Sequence, residues 1–411
     1  MTRATKLPAP LRLIKGTQFG LFFAGNGLSL VGSWMQRIAC SWLVWDWTGS
    51  AFWVGVLAAG DLLPVVLTGP FAGVAADRWN RLRQNIWAQT ASAALAVLMA
   101  VLLATGHLGL HGTVVLVTLQ GTLVAAMQPS RLAMIQEMVQ PEDLGTAVAL
   151  NSVNVNLARL LGPAIAGAMI LYVDIVWVFI ANAIVTAIFV FVLTRLRLTA
   201  QEKRTETGSF FGEMKEGFIH VARQPALRLI LLVLFCGGVL VRAMIELVPA
   251  IAAQTFSNAA AGLAIITASA AAGAVGAGLT VGRSKVERLL FGVLLWWSVG
   301  ALAAFFLVRS SSPLMAIPMA TMLGAAVTCG LVSTQTFVQL TTPGKLRGRV
   351  LSIHGLIARG SPALGALAVG FAADRIGLKA SITTASALLM LVVLVLAPVT
   401  RRQARSLREL M

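Results

Sequence analysis

Charge is scarce in this 411-residue chain. Asp, Glu, Lys and Arg make up 11% of it, against 58% hydrophobic residues, a balance that excludes a soluble domain. Acids are rarer still, 15 against 32 Lys and Arg. Cysteine is nearly absent. Cys40, Cys236 and Cys329 fall inside apolar runs, far apart, and read as small core residues rather than disulfides or metal ligands. No His or carboxylate cluster has metal-ligand spacing and no nucleophile–base pair stands out, so neither an enzyme nor a cofactor or metal is expected. There is no P-loop, so ATP does not drive the protein directly. The basic first 16 residues lack a small-residue cleavage pattern, and no cleavable signal peptide is expected.

What is present is apolar length. Runs of about 20 residues recur along the whole chain, each able to cross a bilayer as a helix. Twelve are expected, at about 19–45, 51–75, 85–106, 112–138, 146–172, 175–196, 227–254, 261–282, 288–308, 313–340, 347–373 and 379–399. The net charge of +17 is placed for a membrane rather than for nucleic acid. With the N-terminus inside, the inner segments hold Arg3, Lys6, Arg12 and Lys15, then Arg78, Arg81 and Arg83, a cluster from Arg195 to Arg228, then Arg283, Lys285 and Arg288, and Lys345, Arg347 and Arg349. The outer loops hold only Arg309, Arg375 and Lys379. This asymmetry predicts a multi-pass protein of the plasma (inner) membrane with both termini cytoplasmic. The basic tail, from Arg401 to Arg408, is set to touch lipid heads or to fix topology.

The stretch the rest is organised around is Gly73-Val-Ala-Ala-Asp77-Arg78-Trp79-Asn80-Arg81-Leu82-Arg83, a turn between the second and third runs. An acid at the end of a membrane helix needs partners, and Asp77 has Arg78 and Arg81 within a turn, or the positive end of a neighbouring helix. Gly73 lets another helix approach. The cluster reads either as a latch between helix bundles or as a solvated loop that sets topology. Its G-x-x-x-D-R-x-x-R pattern resembles the signature loop between helices 2 and 3 of the major facilitator superfamily, with Asn80 where that family usually has a second Gly. The resemblance favours the latch.

Charges inside the predicted spans mark functional candidates by default. Arg37 follows Gln36 well inside the first run, and Asp61 lies halfway along the second. In the seventh, Arg242 and Glu246 are spaced i, i+4 and share a helix face. Asp61 and Glu246 are the two acids deepest in the membrane. Each reads as a proton carrier or as a structural partner of an Arg. Arg159 and Arg359 are weaker candidates for the same pathway. In the fifth run, Gly162-Pro163 and Gly167 resemble the G-P-x-x-G-G element of the antiporter branch. Val117 stands where proton-coupled members of the superfamily often carry an Arg three residues before Gln120-Gly121. Gly370-x-x-x-Asp374-Arg375 mimics the signature loop on the outer side and reads as helix-end chemistry.

The halves repeat. A shift of 205 residues places Arg37 on Arg242, Gly73 on Gly278 and Arg78 on Arg283, with Gly282 where the first copy has Asp77. Two six-helix halves are predicted, residues 1–197 and 226–411, joined by a cytoplasmic linker at 198–225 that carries an amphipathic segment from Phe210 to Phe218. Gly32-Ser33-Trp34-Met35-Gln36-Arg37, Ala147-x-Ala-Leu-Asn151-Ser152, Leu346-Arg347-Gly348-Arg349-Val350 and Gly360-x-Pro362-x-x-Gly365 resemble the branch containing the enterobactin exporter and related drug and macrolide efflux proteins. The resemblance covers essentially the whole chain. It implies an all-α membrane protein with the major facilitator fold, two pseudo-symmetric six-helix bundles. It also implies a monomeric exporter of a siderophore or drug-like amphipathic molecule, working by proton antiport and alternating access. A lysophospholipid mover is the alternative. A non-transporting sensor would need an appended soluble domain, which the sequence does not offer.

Overall fold

The structure, a computed structural model, describes residues 9–198, 210–278 and 286–409, without the side chains of 9, 69–78, 210, 211, 213, 286–288, 345 and 407–409. Among these residues every regular element is helical. The long helices are α1 (Gln18–Thr48), α2 (Ala51–Arg78), α3 (Arg81–Ala104), α4 (Leu110–Met138), α5 (Leu144–Tyr172) and α6 (Val176–Arg195). Then come α7, which starts at Pro225–Gly237, and α8 (Ala259–Gly278), α9 (Val286–Leu307), α10 (Pro313–Thr341), α11 (Gly344–Ile376) and α12 (Leu378–Glu409). Eleven of the twelve are long and apolar enough to cross a membrane. The remaining one, α1, has the length at 31 residues, but Gln36 and Arg37 interrupt its apolar run. The boundaries follow the apolar runs closely. The exception is α12, where the basic tail continues the helix to Glu409 instead of leaving it at the membrane edge.

Local chemistry sets the ends. Asn80 caps α3, its side-chain oxygen accepting the Arg83 N–H at 2.9 Å. Asn80 thus has a structural task of its own in this turn. Pro225 and Pro313 open α7 and α10, where a missing N–H costs nothing. Helix α7 is not one continuous α-helix. It passes through a π turn at Gly238–Arg242, then the α-helical Ala243–Glu246 and Val248–Thr255, so the break in register falls before Arg242, which keeps its i, i+4 spacing to Glu246.

The chain packs as two compact units, residues 1–40 with 67–205, and 41–66 with 206–411. The core of the first gathers Phe19, Phe22, Met134, Ile135, Phe189 and Leu193, with Phe22 edge-on to Phe189 at 5.8 Å. Several of its buried polar groups pair. Asn182 donates to Gln36 at 2.6 Å, Thr186 donates to Asn182 at 3.2 Å, and Asn154 donates to the Phe23 carbonyl at 2.8 Å. Lipid offers no such partners, so these bonds hold α1, α5 and α6 in register. In the second unit the fully buried Trp297 of α9 packs against Gly237 and Gly330. A surface helix, Phe210–Arg223, lies on α11, with Glu216 paired to Arg349 and Phe218 left exposed.

Candidate functional site

Of the signature loop, Gly73, Asp77 and Arg78 lie outside the described side chains, and Arg83 is exposed. Arg81 is half-buried and pairs with Glu137 of α4 at 2.5 Å. Among the described side chains its partner is thus an acid 56 residues on, near the end of α4. Two α4 turns earlier, Ser130 accepts from the buried Asn85 of α3 at 2.9 Å, so an ion pair and a hydrogen bond both tie α3 to α4. Glu137 was legible only as one acid in a helix end; nothing in its local pattern announces the partnership.

The six candidates within the spans, Arg37, Asp61, Arg159, Arg242, Glu246 and Arg359, are all half-buried, neither sealed in a core nor open at the surface. Lipid contact would be costly for charged groups at this depth. In the first unit two of them meet. The guanidinium carbon of Arg37 lies 5.2 Å from the centre of the Trp34 ring and that of Arg159 lies 5.3 Å from it. The two cations are therefore no more than about 10.5 Å apart. At an effective dielectric near 20 their repulsion is about 1.6 kcal/mol or more, which the indole face offsets in part. Gly162 makes the meeting possible. A Cβ at that position would stand 2.5 Å from the Trp34 Cβ and 2.9 Å from the Val31 carbonyl, so any other residue would push α5 away from α1. Pro163 and Gly167 are buried beside it. Trp34 itself was legible only as part of the Gly32–Arg37 run.

In the second unit α2, α7 and α11 meet through small residues. Ala58, Ala243 and Ala366 form one cluster; Ala59, Leu62 and Ala363 form another. Asp61 is three residues beyond Ala58, Arg242 adjoins Ala243, and Arg359 is one turn before Ala363. The helices thus carry these charges to one junction. Arg242 donates to the carbonyl of Ala358. That carbonyl is the one left without its i+4 N–H by Pro362, which sits inside α11. The Gly360-x-Pro362-x-x-Gly365 run therefore has a local meaning: proline frees a carbonyl, and an arginine from α7 takes it.

The Gly370–Arg375 run ends in a second device. Asp374 accepts from the Ser50 hydroxyl and from the Ala51 N–H at 2.9 Å. It caps the first turn of α2 from a helix more than 320 residues away. Gly370 permits this approach, since a Cβ there would abut the Ala51 carbonyl. A recess of about 390 Å³ opens beside the cap, lined by Trp45, Thr48, Gln254 and Asp374 among others.

Apolar helices of this number, in this arrangement, define a multi-pass membrane protein with the major facilitator fold. The chain belongs to the transmembrane secretion effector family of that superfamily, whose profile matches residues 8–409. It is 28% identical to the multidrug efflux pump Tap of Mycolicibacterium fortuitum over 397 residues, 93% of each chain. It is also 27% identical to the staphyloferrin A transporter of Staphylococcus aureus over 164 residues, a match spanning 40% of this chain and 41% of that one. In fold it resembles an inward-facing, occupied bacterial homolog of the human lysosomal transporter Spinster. There the TM-score is 0.74 at 13% identity, over 93% of this chain and 96% of the other.

Proposed function

We propose that this protein exports a small amphipathic molecule, siderophore or drug-like, by alternating access coupled to the proton gradient. The observation that carries the reading is the set of six half-buried charged side chains in the middles of α1, α2, α5, α7 and α11. Relatives named for multidrug efflux and for staphyloferrin A transport supply the substrate class. Both termini lie in the cytoplasm of the plasma or inner membrane, and a single chain is the working unit. Asp61 or Glu246 carries the proton, and Arg37, Arg159, Arg242 and Arg359 set the affinity of those carboxylates and of the path. On the cytoplasmic side Asp77, Arg78 and Arg81 latch the inward-closed state, with Arg81–Glu137 holding the loop for that task. The two halves, 1–197 and 226–411, alternate about the 198–225 linker.

The test is proton movement in reconstituted vesicles, read by an internal pH dye with a panel of siderophores and lipophilic cations. Substrate-dependent proton flux, lost in Asp61→Asn or Glu246→Gln, is the expected result and names the coupling residue. Substrate movement with an unchanged pH profile in both variants removes proton antiport through these groups. No flux with any compound, together with movement of labelled lysophospholipid, replaces the export reading with lipid transport.

A further inference from the structure

One recess lies apart from the charged side chains of the spans. It is the cavity of about 390 Å³ beside the cap of α2, and all of it falls within the second unit. Its volume sits at the small end of the range of small-molecule sites, about 300–1,000 Å³. Five helix ends meet around it. Helices α1 and α11 and the last segment of α7 finish there, at Thr48, Ile376 and Thr255, while α2 and α12 begin there, at Ala51 and Leu378. These are the ends opposite the basic turns at Arg81 and Arg347, and the charge asymmetry of the loops places them outside.

The polar groups of the recess are unevenly spent. Thr48 donates to the Val44 carbonyl at 2.6 Å and accepts the Ser50 N–H at 3.2 Å. Ser50 donates to Asp374 and accepts the Trp53 N–H at 3.2 Å. Asp374 and Gln254 keep capacity. Asp374 alone is charged among the described residues that line the recess. It is exposed and accepts two hydrogen bonds, from the Ser50 hydroxyl and the Ala51 N–H, where an ionised carboxylate has room for about four. It pairs with no Lys or Arg among the described residues; the adjacent Arg375 lies over the Phe371 ring at 4.2 Å instead. The exposed Gln254 amide makes no hydrogen bond among them either. The rest of the wall is apolar, with the Trp45 indole, Ala250 and Leu378. Such a wall favours positive charge. Three helix C-termini add to that preference, and of the two N-termini the one of α2 is already covered by Asp374.

We infer that this recess is an outward-facing binding site for a small aromatic cation with N–H donors, of the amidinium type. The donor fork meets the free lone pairs of Asp374 and the Gln254 amide oxygen, and the apolar body lies against Trp45. The site is separate from the six charged side chains of the spans, and its content does not depend on export.

Calorimetric titration of the protein in nanodiscs tests it, with benzamidine as the cation, benzamide as its neutral isostere and benzoate as its anionic counterpart. Wild type should bind benzamidine at least tenfold tighter than either. Asp374→Asn keeps an acceptor for the α2 N-terminus and drops the charge, and it should weaken benzamidine tenfold or more. Trp45→Leu should weaken it threefold or more. If Asp374→Asn does not elute as a folded species, the exposed Gln254→Cys carries the test. With the native cysteines replaced, benzamidine should slow its reaction with an impermeant maleimide in intact cells at least threefold, and benzamide should not. No benzamidine binding, equal binding of benzamide, unchanged binding in Asp374→Asn, or no protection at Gln254→Cys overturns the proposal. So does benzamidine binding that is lost in Asp61→Asn or Glu246→Gln and kept in Asp374→Asn, which moves the cation into the spans. Reaction of Gln254→Cys only after permeabilisation overturns the outward placement. A protein that binds benzamidine in this way and moves no substrate keeps the site and loses the export reading.

Discussion

At the scale of single residues, the ion pair between Arg81 and Glu137 shows how far charge placement exceeds charge content. Both side chains are about one-fifth exposed, so each is desolvated enough that losing its partner leaves a costly charge. Glu137→Gln should lower export about tenfold at equal protein level. The exchange Arg81→Glu with Glu137→Arg should recover much of it, because the pair and not the sign at either site holds the loop. Export rates normalised to protein amount check this; a double exchange no better than the single change would remove the pair from the transport cycle. The pair formed by Gln36 and Asn182 obeys the same logic without charge. Asn182→Leu should cost about 1–3 kcal/mol, since the Gln36 side-chain oxygen then lies buried without its donor, and thermal unfolding in detergent reads it.

At the scale of elements, two helices depend on groups supplied by others. The α2 N-terminus takes Asp374 of α11 as its cap, so Asp374→Ala should destabilise by about 1 kcal/mol and Asp374→Asn by less. The thermal midpoint of the purified protein reports both. Helix α11 in turn takes Arg242 of α7 at the carbonyl that Pro362 frees. In Pro362→Ala the backbone N–H returns and the carbonyl no longer needs the arginine. Arg242→Gln should therefore cost less stability in the Pro362→Ala background than in wild type, with a coupling of about 0.5–3 kcal/mol from a double-mutant cycle. Equal costs in both backgrounds would assign Arg242 wholly to another task. The π turn at Gly238–Arg242 belongs to the same junction, and it sets the orientation of Arg242.

At the scale of the whole molecule, orientation is tested by labelling. Ser311 and Ser406 are exposed, one just before α10 and one in the basic tail. With the native cysteines replaced, Ser311→Cys should react with an impermeant maleimide in intact cells, and Ser406→Cys only after permeabilisation; the reverse pattern inverts the topology. The sequence by itself determined the class, the twelve helices and nearly all their ends. Each of those follows from a local quantity, either the length of an apolar run or the polarity of the turn that stops it. It also marked Arg37, Asp61, Arg159, Arg242, Glu246 and Arg359, since a charge in an apolar run is conspicuous without knowing its neighbours. Partnerships were another matter. That Arg81 meets Glu137, that Arg37 and Arg159 share Trp34, that Asp374 caps α2 and that Arg242 answers Pro362 depend on which helices lie side by side. A one-dimensional pattern carries the cost of burying a charge; only packing decides which group offsets it.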